Sequence, residues 1–264
     1  MSDRRSTLRR APFAFALGLV LALAAPAPAS ALGDFVGVET SLWRQGFDGT
    51  ARINTGSGGG TSFSFHGTLG LEEDDTAKVG RVWFRLGKSR LFVDYSDTSR
   101  SGFKVLSQPI DFHGTTYSAS EAVTSNLDFT LLQGQYRYTF DFKLVEFGVG
   151  AGFNIAQVDM LLDGSSSGQN RLDENIPYPT ISAALAIKPF PGFHIRAEAS
   201  GMSMGIGGNS VDILDARVQL EYYFAHVFGL FGGYRSYRFN LQAEDYGVVD
   251  STSDGPYFGL GLKF

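Results

Sequence analysis

His194, Arg196, Glu198 and Ser200 fall at alternate positions of one short stretch. In an extended chain, residues two apart share a face. A His base, a Ser nucleophile and an orienting carboxylate are the parts of a hydrolase triad. The spacing argues against that chemistry. Same-face neighbours on one strand stand about 6.6 Å apart, from a rise of about 3.3 Å per residue, which is beyond direct hydrogen bonding without a second strand. The four histidines, His66, His113, His194 and His226, are scattered and give no metal-ligand spacing. There is no Cys, which removes thiolate nucleophiles, thiolate metal sites and disulfides. Glu72, Glu73, Asp74 and Asp75 have no Ca²⁺-loop spacing and read as a solvated acidic turn. Gly148, Gly150 and Gly152, like Gly259 and Gly261, lie within strand patterns, where small residues relieve crowding and do not make a phosphate loop. The sequence thus predicts no catalytic residue, no cofactor site and no metal ligand.

A larger charged set lies on the polar side of alternating runs: Arg81, Arg85, Asp94, Asp128, Arg137, Glu146, His194, Arg196, Glu198, Asp215, Arg217, Glu221 and Lys263. Two chemistries fit it. The set could line a charged pore that selects small solutes. It could instead form Arg–carboxylate pairs that brace a narrow interior with no open channel. Mixed signs on neighbouring segments favour pairing, whereas a ring of one sign would favour conduction.

The elements that must position these residues are strands. In 145–155, Val145, Phe147, Val149, Ala151, Phe153 and Ile155 alternate with Glu146, three glycines and Asn154. The end of the chain repeats the pattern, with Phe258, Leu260, Leu262 and Phe264 on one parity. Crossings of about 9–11 residues suffice for a membrane strand, and counting them predicts ten, with both termini on one side. A twelve-strand alternative makes 63–71 a full crossing. Tight turns are predicted at Gly87-Lys88-Ser89, Asp141-Phe142-Lys143, Lys188 to Gly192 and Phe224-Ala225-His226, and a protruding hairpin with His113-Gly114 near its tip. Solvated loops are predicted over 163–177 and 244–254, and Trp43 is predicted as an interfacial belt residue. Near Leu131-Leu132 the apolar parity slips, which predicts a β-bulge.

The first 31 residues read as a secretory signal. Arg4, Arg5, Arg9 and Arg10 precede an uncharged apolar run over 11–25, and Ala29-Ser30-Ala31 supplies a small-x-small cleavage pattern. The run is shorter than the roughly 20 residues of a helical span. The predicted organisation is a signal over 1–31 and one domain over 32–264. That domain carries 18 basic and 26 acidic residues, a net charge of −8, which disfavours nucleic-acid binding. Gly 33 and Phe 23 with a mean hydropathy of −0.04 suit a wall one residue thick better than a compact core.

The alternation, the short turns and the terminal Phe264 together resemble bacterial outer-membrane β-barrel proteins. Segments such as Leu69-Gly70-Leu71-Glu72, Lys88-Ser89-Arg90-Leu91 and 110–117 resemble pieces of a group of uncharacterised small barrels. The resemblance implies an all-β, closed antiparallel transmembrane barrel in the outer membrane, with short periplasmic turns and long extracellular hairpins. It implies contact with outer-membrane lipid and lipopolysaccharide, periplasmic chaperones, and a barrel-assembly machinery that reads Phe264. The expected role is a narrow pore or a structural, surface-exposed protein without catalysis. A lipid-modifying or proteolytic barrel enzyme is the alternative, and a soluble secreted β-sandwich is a third reading.

Overall fold

The computed structural model describes residues 35–54, 60–206, 208–225, 227–243 and 247–264. The predicted signal, with Ala29 and Ala31, and His226 lie outside the described residues. The strands are β1 (Val36–Ile53), β2 (Ser62–Ser64), β3 (Asp74–Leu86), β4 (Ser89–Val105), β5 (Ile110–Phe112), β6 (Thr115–Tyr117) and β7 (Ala122–Asp141). They continue as β8 (Val145–Gly164), β9 (Gly168–Phe190), β10 (Phe193–Ile206), β11 (Asn209–Phe224), β12 (Phe228–Ala243) and β13 (Gly247–Lys263). Ten of these, all but β2, β5 and β6, pair antiparallel in sequence order, and β13 returns to β1 to close the ring. The seam is complete to the last residue. Phe264 N donates to Val36 O at 2.8 Å, and Phe35 N and Val36 N donate to Phe264 O at 2.7 and 3.1 Å. Closure leaves no strand edge, which lets a sheet satisfy its backbone where no water is available.

Ten, not twelve, is the strand number, because 62–73 does not cross. β2 pairs only with the upper part of β1. The chain after it patches the wall above the short β3. Phe65 N donates to Gly49 O at 3.1 Å, Phe47 N to Glu73 O at 2.8 Å and Glu72 N to Ser101 O at 3.1 Å, and Leu71 bridges to Gly102. At one end of the barrel the connections are tight. Gly87 and Gly192 take φ of 61° and 81° there, a region in which glycine alone is unstrained. At the other end the strands run on. β8 and β9 stay paired out to Gly164 and Gly168, so most of 163–177 is strand, not loop. Likewise β13 begins at Gly247 and is paired on both sides, so only 244–246 of the loop predicted over 244–254 falls outside the described strands.

Polarity changes along the barrel axis. On β8 the outward residues from Val145 to Ile155 are apolar, then become Gln157 and Asp159; the inward ones run from Glu146 to Asn154, then become Ala156, Val158, Met160 and Leu162. At a strand tilt near 40°, 145–155 spans about 25 Å, the height of the lipid-facing band in such barrels. Above the band the outside is aqueous, so outward residues turn polar and the dry side moves indoors. The same exchange explains Leu131-Leu132. The β4–β7 and β7–β8 registers run through this point without a break, so there is no bulge. Leu127, Phe129 and Leu131 face in above the band; Leu132, Tyr136, Tyr138 and Phe140 face out within it. The strand keeps its parity while its surroundings change.

Trp43 is also corrected. It is 4% exposed and points inward, not into the interface. Its Nε1 donates to Gly255 O at 3.2 Å, and the Arg235 guanidinium lies 4.7 Å from its ring. Trp83 packs inside over Gly37, where any Cβ would collide with the indole.

Candidate functional site

The barrel interior divides into a lower and an upper chamber, and the predicted residues other than Asp128 occupy the lower one, inside the apolar band. Glu198 is its centre. It accepts from Arg81 Nη1 at 3.1 Å, Arg137 Nη1 at 2.6 Å and Arg217 Nε at 2.6 Å. Arg81 also grips Asp94 with Nε and Nη2 at 2.5 and 2.7 Å. β3, β4, β7, β10 and β11 each contribute to this cluster, so it ties opposite walls together. Phe92 is sandwiched by two of its cations, with Arg81 and Arg137 at 5.0 and 4.5 Å from the ring centroid. One level down, Glu221 accepts from Arg196, at 3.2 Å, and lies 3.4 Å from His194 Nδ1. One level up, Arg235 grips Asp215 with Nε and Nη2 at 2.9 and 2.7 Å. At the short-turn end, Glu146 takes Arg90 at 2.8 Å and Lys188 at 2.9 Å, and Arg85 takes Asp141 at 3.0 Å. Lys263 lies 4.2 Å over the Tyr223 ring. A void of about 10 Å³ lies between Asp94, Arg137, Glu198 and Arg217, room for no more than one water.

Of the predicted inward set, Asp128 is misplaced. Inward positions of β7 are odd-numbered, so Asp128 lies on the outer face, above the band, at the level of Asp159 and Arg171. The prediction omitted Glu39, Arg90 and Arg235, which are inward and mostly buried. Glu39 was legible, since it alternates with Val38 and Thr40. Arg235 sits among Gly232, Gly233 and Tyr237, where no apolar alternation fixes a parity. His194 and Ser200 are on one strand, six residues or about 20 Å apart, and His194 is engaged with Glu221.

The upper chamber is apolar and was not foreseen. Its volume is about 700 Å³, and its walls include Phe47, Leu127, Phe129, Met160, Ile176 and Phe239. A cap closes in from one side. The β5–β6 hairpin buries Ile110, Phe112 and Tyr117 completely and turns at His113 and Gly114, which reach the chamber. Asn170 Nδ2 holds this turn, donating to Phe112 O, His113 O and Thr115 Oγ1 at 3.1, 2.9 and 2.8 Å. Glu121 anchors the base of the cap. It accepts from Ser167 N, Ser166 N and Ser118 N at 2.6, 2.8 and 2.9 Å and from Ser167 Oγ at 2.8 Å. The backbone amide of Ser167, helped by those of Ser166 and Ser118, pulls its carboxyl down to about 2.

Among the described residues, one arginine lines this apolar space. Arg100 is 2% exposed, its guanidinium stacked 4.6 Å from the Phe47 ring centroid. Nη1 donates to Thr98 Oγ1 at 3.4 Å. Nε and Nη2 are buried and have no hydrogen-bond partner among the described residues. Burial draws its pKa below the ordinary range, opposed by the carboxylates of Asp75 and Glu72.

No protein-family model matches the sequence, and no curated protein matches it. Solved structures do. The outer-membrane protease OmpT from Escherichia coli matches with a TM-score of 0.59 at 11% identity, over 88% of this chain and 97% of that one. The translocator domain of the autotransporter NalP from Neisseria meningitidis matches with a TM-score of 0.46 at 14% identity, over 96% of each chain. At 11% identity the likeness to the protease speaks for fold alone. With the closed ten-strand ring and its outward apolar band, it shows that this chain has the fold of the bacterial outer-membrane β-barrel proteins.

Proposed function

We propose that this is an integral outer-membrane protein, exported by its N-terminal signal, that works as a closed, surface-exposed barrel and not as an open pore. The ion-pair network around Glu198 carries the reading. It draws on five strands inside the lipid-facing band, and the void between Asp94, Arg137, Glu198 and Arg217 is about 10 Å³. Buried charges that are ion-paired across strands hold their geometry, because breaking any one pair strands its partner in a site shielded from water. The tight turns then lie in the periplasm, and the long hairpins with the apolar chamber stand in or above the lipopolysaccharide layer. The outward-facing position of Phe264 at the seam supports the reading that an assembly machinery recognises it. No catalysis is assigned, since His194 and Ser200 are separated and His194 is paired within the brace.

Planar-bilayer recording of the refolded protein tests this. The expected result is no stepwise conductance at neutral pH from protein that shows heat-modifiable migration on gels. Reproducible unitary currents would overturn the closed reading. Lipid A mass spectra from cells with and without the protein should be the same; a changed acylation pattern would establish the enzyme alternative.

A further inference from the structure

The upper chamber combines a large apolar volume with an arginine in its wall whose Nε–Nη2 edge meets no hydrogen-bond partner among the described residues. The edge is informative because this chain shows what it binds. Arg81 and Arg235 each present Nε and Nη2 side by side to the two oxygens of an aspartate, and Arg171 does the same to Asp159 on the outer surface. Such side-on, two-bond pairing is the favoured match of guanidinium to carboxylate. Arg100 is held flat against Phe47, with the same two nitrogens buried and unmatched. An unpaired buried guanidinium is costly, and this one lines a space whose remaining wall is largely hydrocarbon.

We propose that the chamber binds a single-chain amphipathic carboxylate, a fatty-acid-like molecule, whose chain lies along Leu127, Phe129, Met160 and Ile176 and toward whose carboxylate Arg100 turns from Phe47, presenting the Nε–Nη2 edge that the wall covers in this structure. A volume of about 700 Å³ is within the range of about 300–1,000 Å³ typical of small-molecule sites, and a barrel interior of this width can hold one such ligand. Ile53, Asn54, Ala243 and Gly247 bring the lining to the ends of β1, β12 and β13, so the chamber reaches the rim away from the membrane. Glu174, the one carboxylate among the described lining residues, disfavours a second anionic group. The proposal goes beyond the closed-barrel reading and stands whether or not the lower chamber conducts.

The test is equilibrium binding of radiolabelled palmitate and of hexadecanol to the full-length mature protein in lipid nanodiscs, with empty nanodiscs as the baseline. Palmitate should bind at one site per barrel, and hexadecanol at least about ten-fold more weakly, the factor expected from losing a charged hydrogen-bonded pair. Arg100→Met should weaken palmitate by a similar factor and leave hexadecanol unchanged. Because it removes an unpaired buried charge, it should not lower the temperature of the gel-mobility shift. Leu172→Trp with Ile176→Trp, both on β9 and separated from the β4 strand of Arg100 by β7 and β8, narrows the chamber and should weaken binding of both probes, and it serves as the second test should Arg100→Met fail to fold. Palmitate binding no greater than the nanodisc baseline, equal affinity for acid and alcohol, or palmitate affinity left unchanged by the Leu172→Trp, Ile176→Trp pair would each overturn the proposal.

Discussion

Glu198 meets three guanidiniums, and the consequences of removing its charge are asymmetric. In Glu198→Gln, Arg81 and Arg217 keep Asp94, but Arg137 is left with Gln135 Oε1 at 3.5 Å. Unmatched charge in a dry site costs about 3–5 kcal/mol. The urea midpoint of the protein in lipid vesicles should fall accordingly, and Arg137→Met in the same chain should recover part of the loss. Arg171→Ala, which breaks a half-exposed surface pair with Asp159, should change stability by no more than about 1 kcal/mol. Equal losses for the two would mean that the inner cluster is as well solvated as the outer surface. At this scale the sequence was readable wherever apolar alternation fixed a parity, as around Glu198. It was silent at Arg100, which sits in Asp97-Thr98-Ser99-Arg100-Ser101 with no hydrophobic neighbour to say which side is indoors.

The cap is an element with little secondary structure of its own. β5 and β6 are three residues each, and the cap is held by buried rings and by Glu121. That carboxylate has its pKa lowered to about 2 from 4.5. Its contribution is therefore complete above the unfolded value and lost as pH falls from about 4.5 toward 2. Amide exchange at Ser118, Ser166 and Ser167 should quicken over that window relative to amides in the middle of β8. Glu121→Gln should show the faster exchange already at neutral pH. Protection that stays flat from pH 5 to 2 would mean that the ring cluster holds the cap without Glu121. The hairpin tip at His113-Gly114 was legible from its glycine. The strand character of 163–177 was not, because polar residues outside and a thin apolar line inside, Leu172 and Ile176, imitate a loop.

The whole molecule is two barrels of opposite polarity stacked on one set of strands. Reading the chain under a single rule, apolar out and polar in, places the lower half correctly and turns the upper half into loops and a bulge. The strands themselves do not change at the boundary; the medium outside them does. The exchange makes a depth-dependent prediction on one strand. Val149 and Gln157 both face outward on β8, eight residues apart, the first near the middle of the apolar band and the second above it. Arg at the first position must enter hydrocarbon and should cost about 2–4 kcal/mol. Arg at the second enters water beside Asp159 and should change stability by about 0.5 kcal/mol or less. Refolding titrations of Val149→Arg and Gln157→Arg into vesicles measure both. A comparable loss at Gln157 would extend the hydrocarbon over the upper barrel. The polar outer surface there, and the dry chamber behind it, would then have no change of medium to cause them.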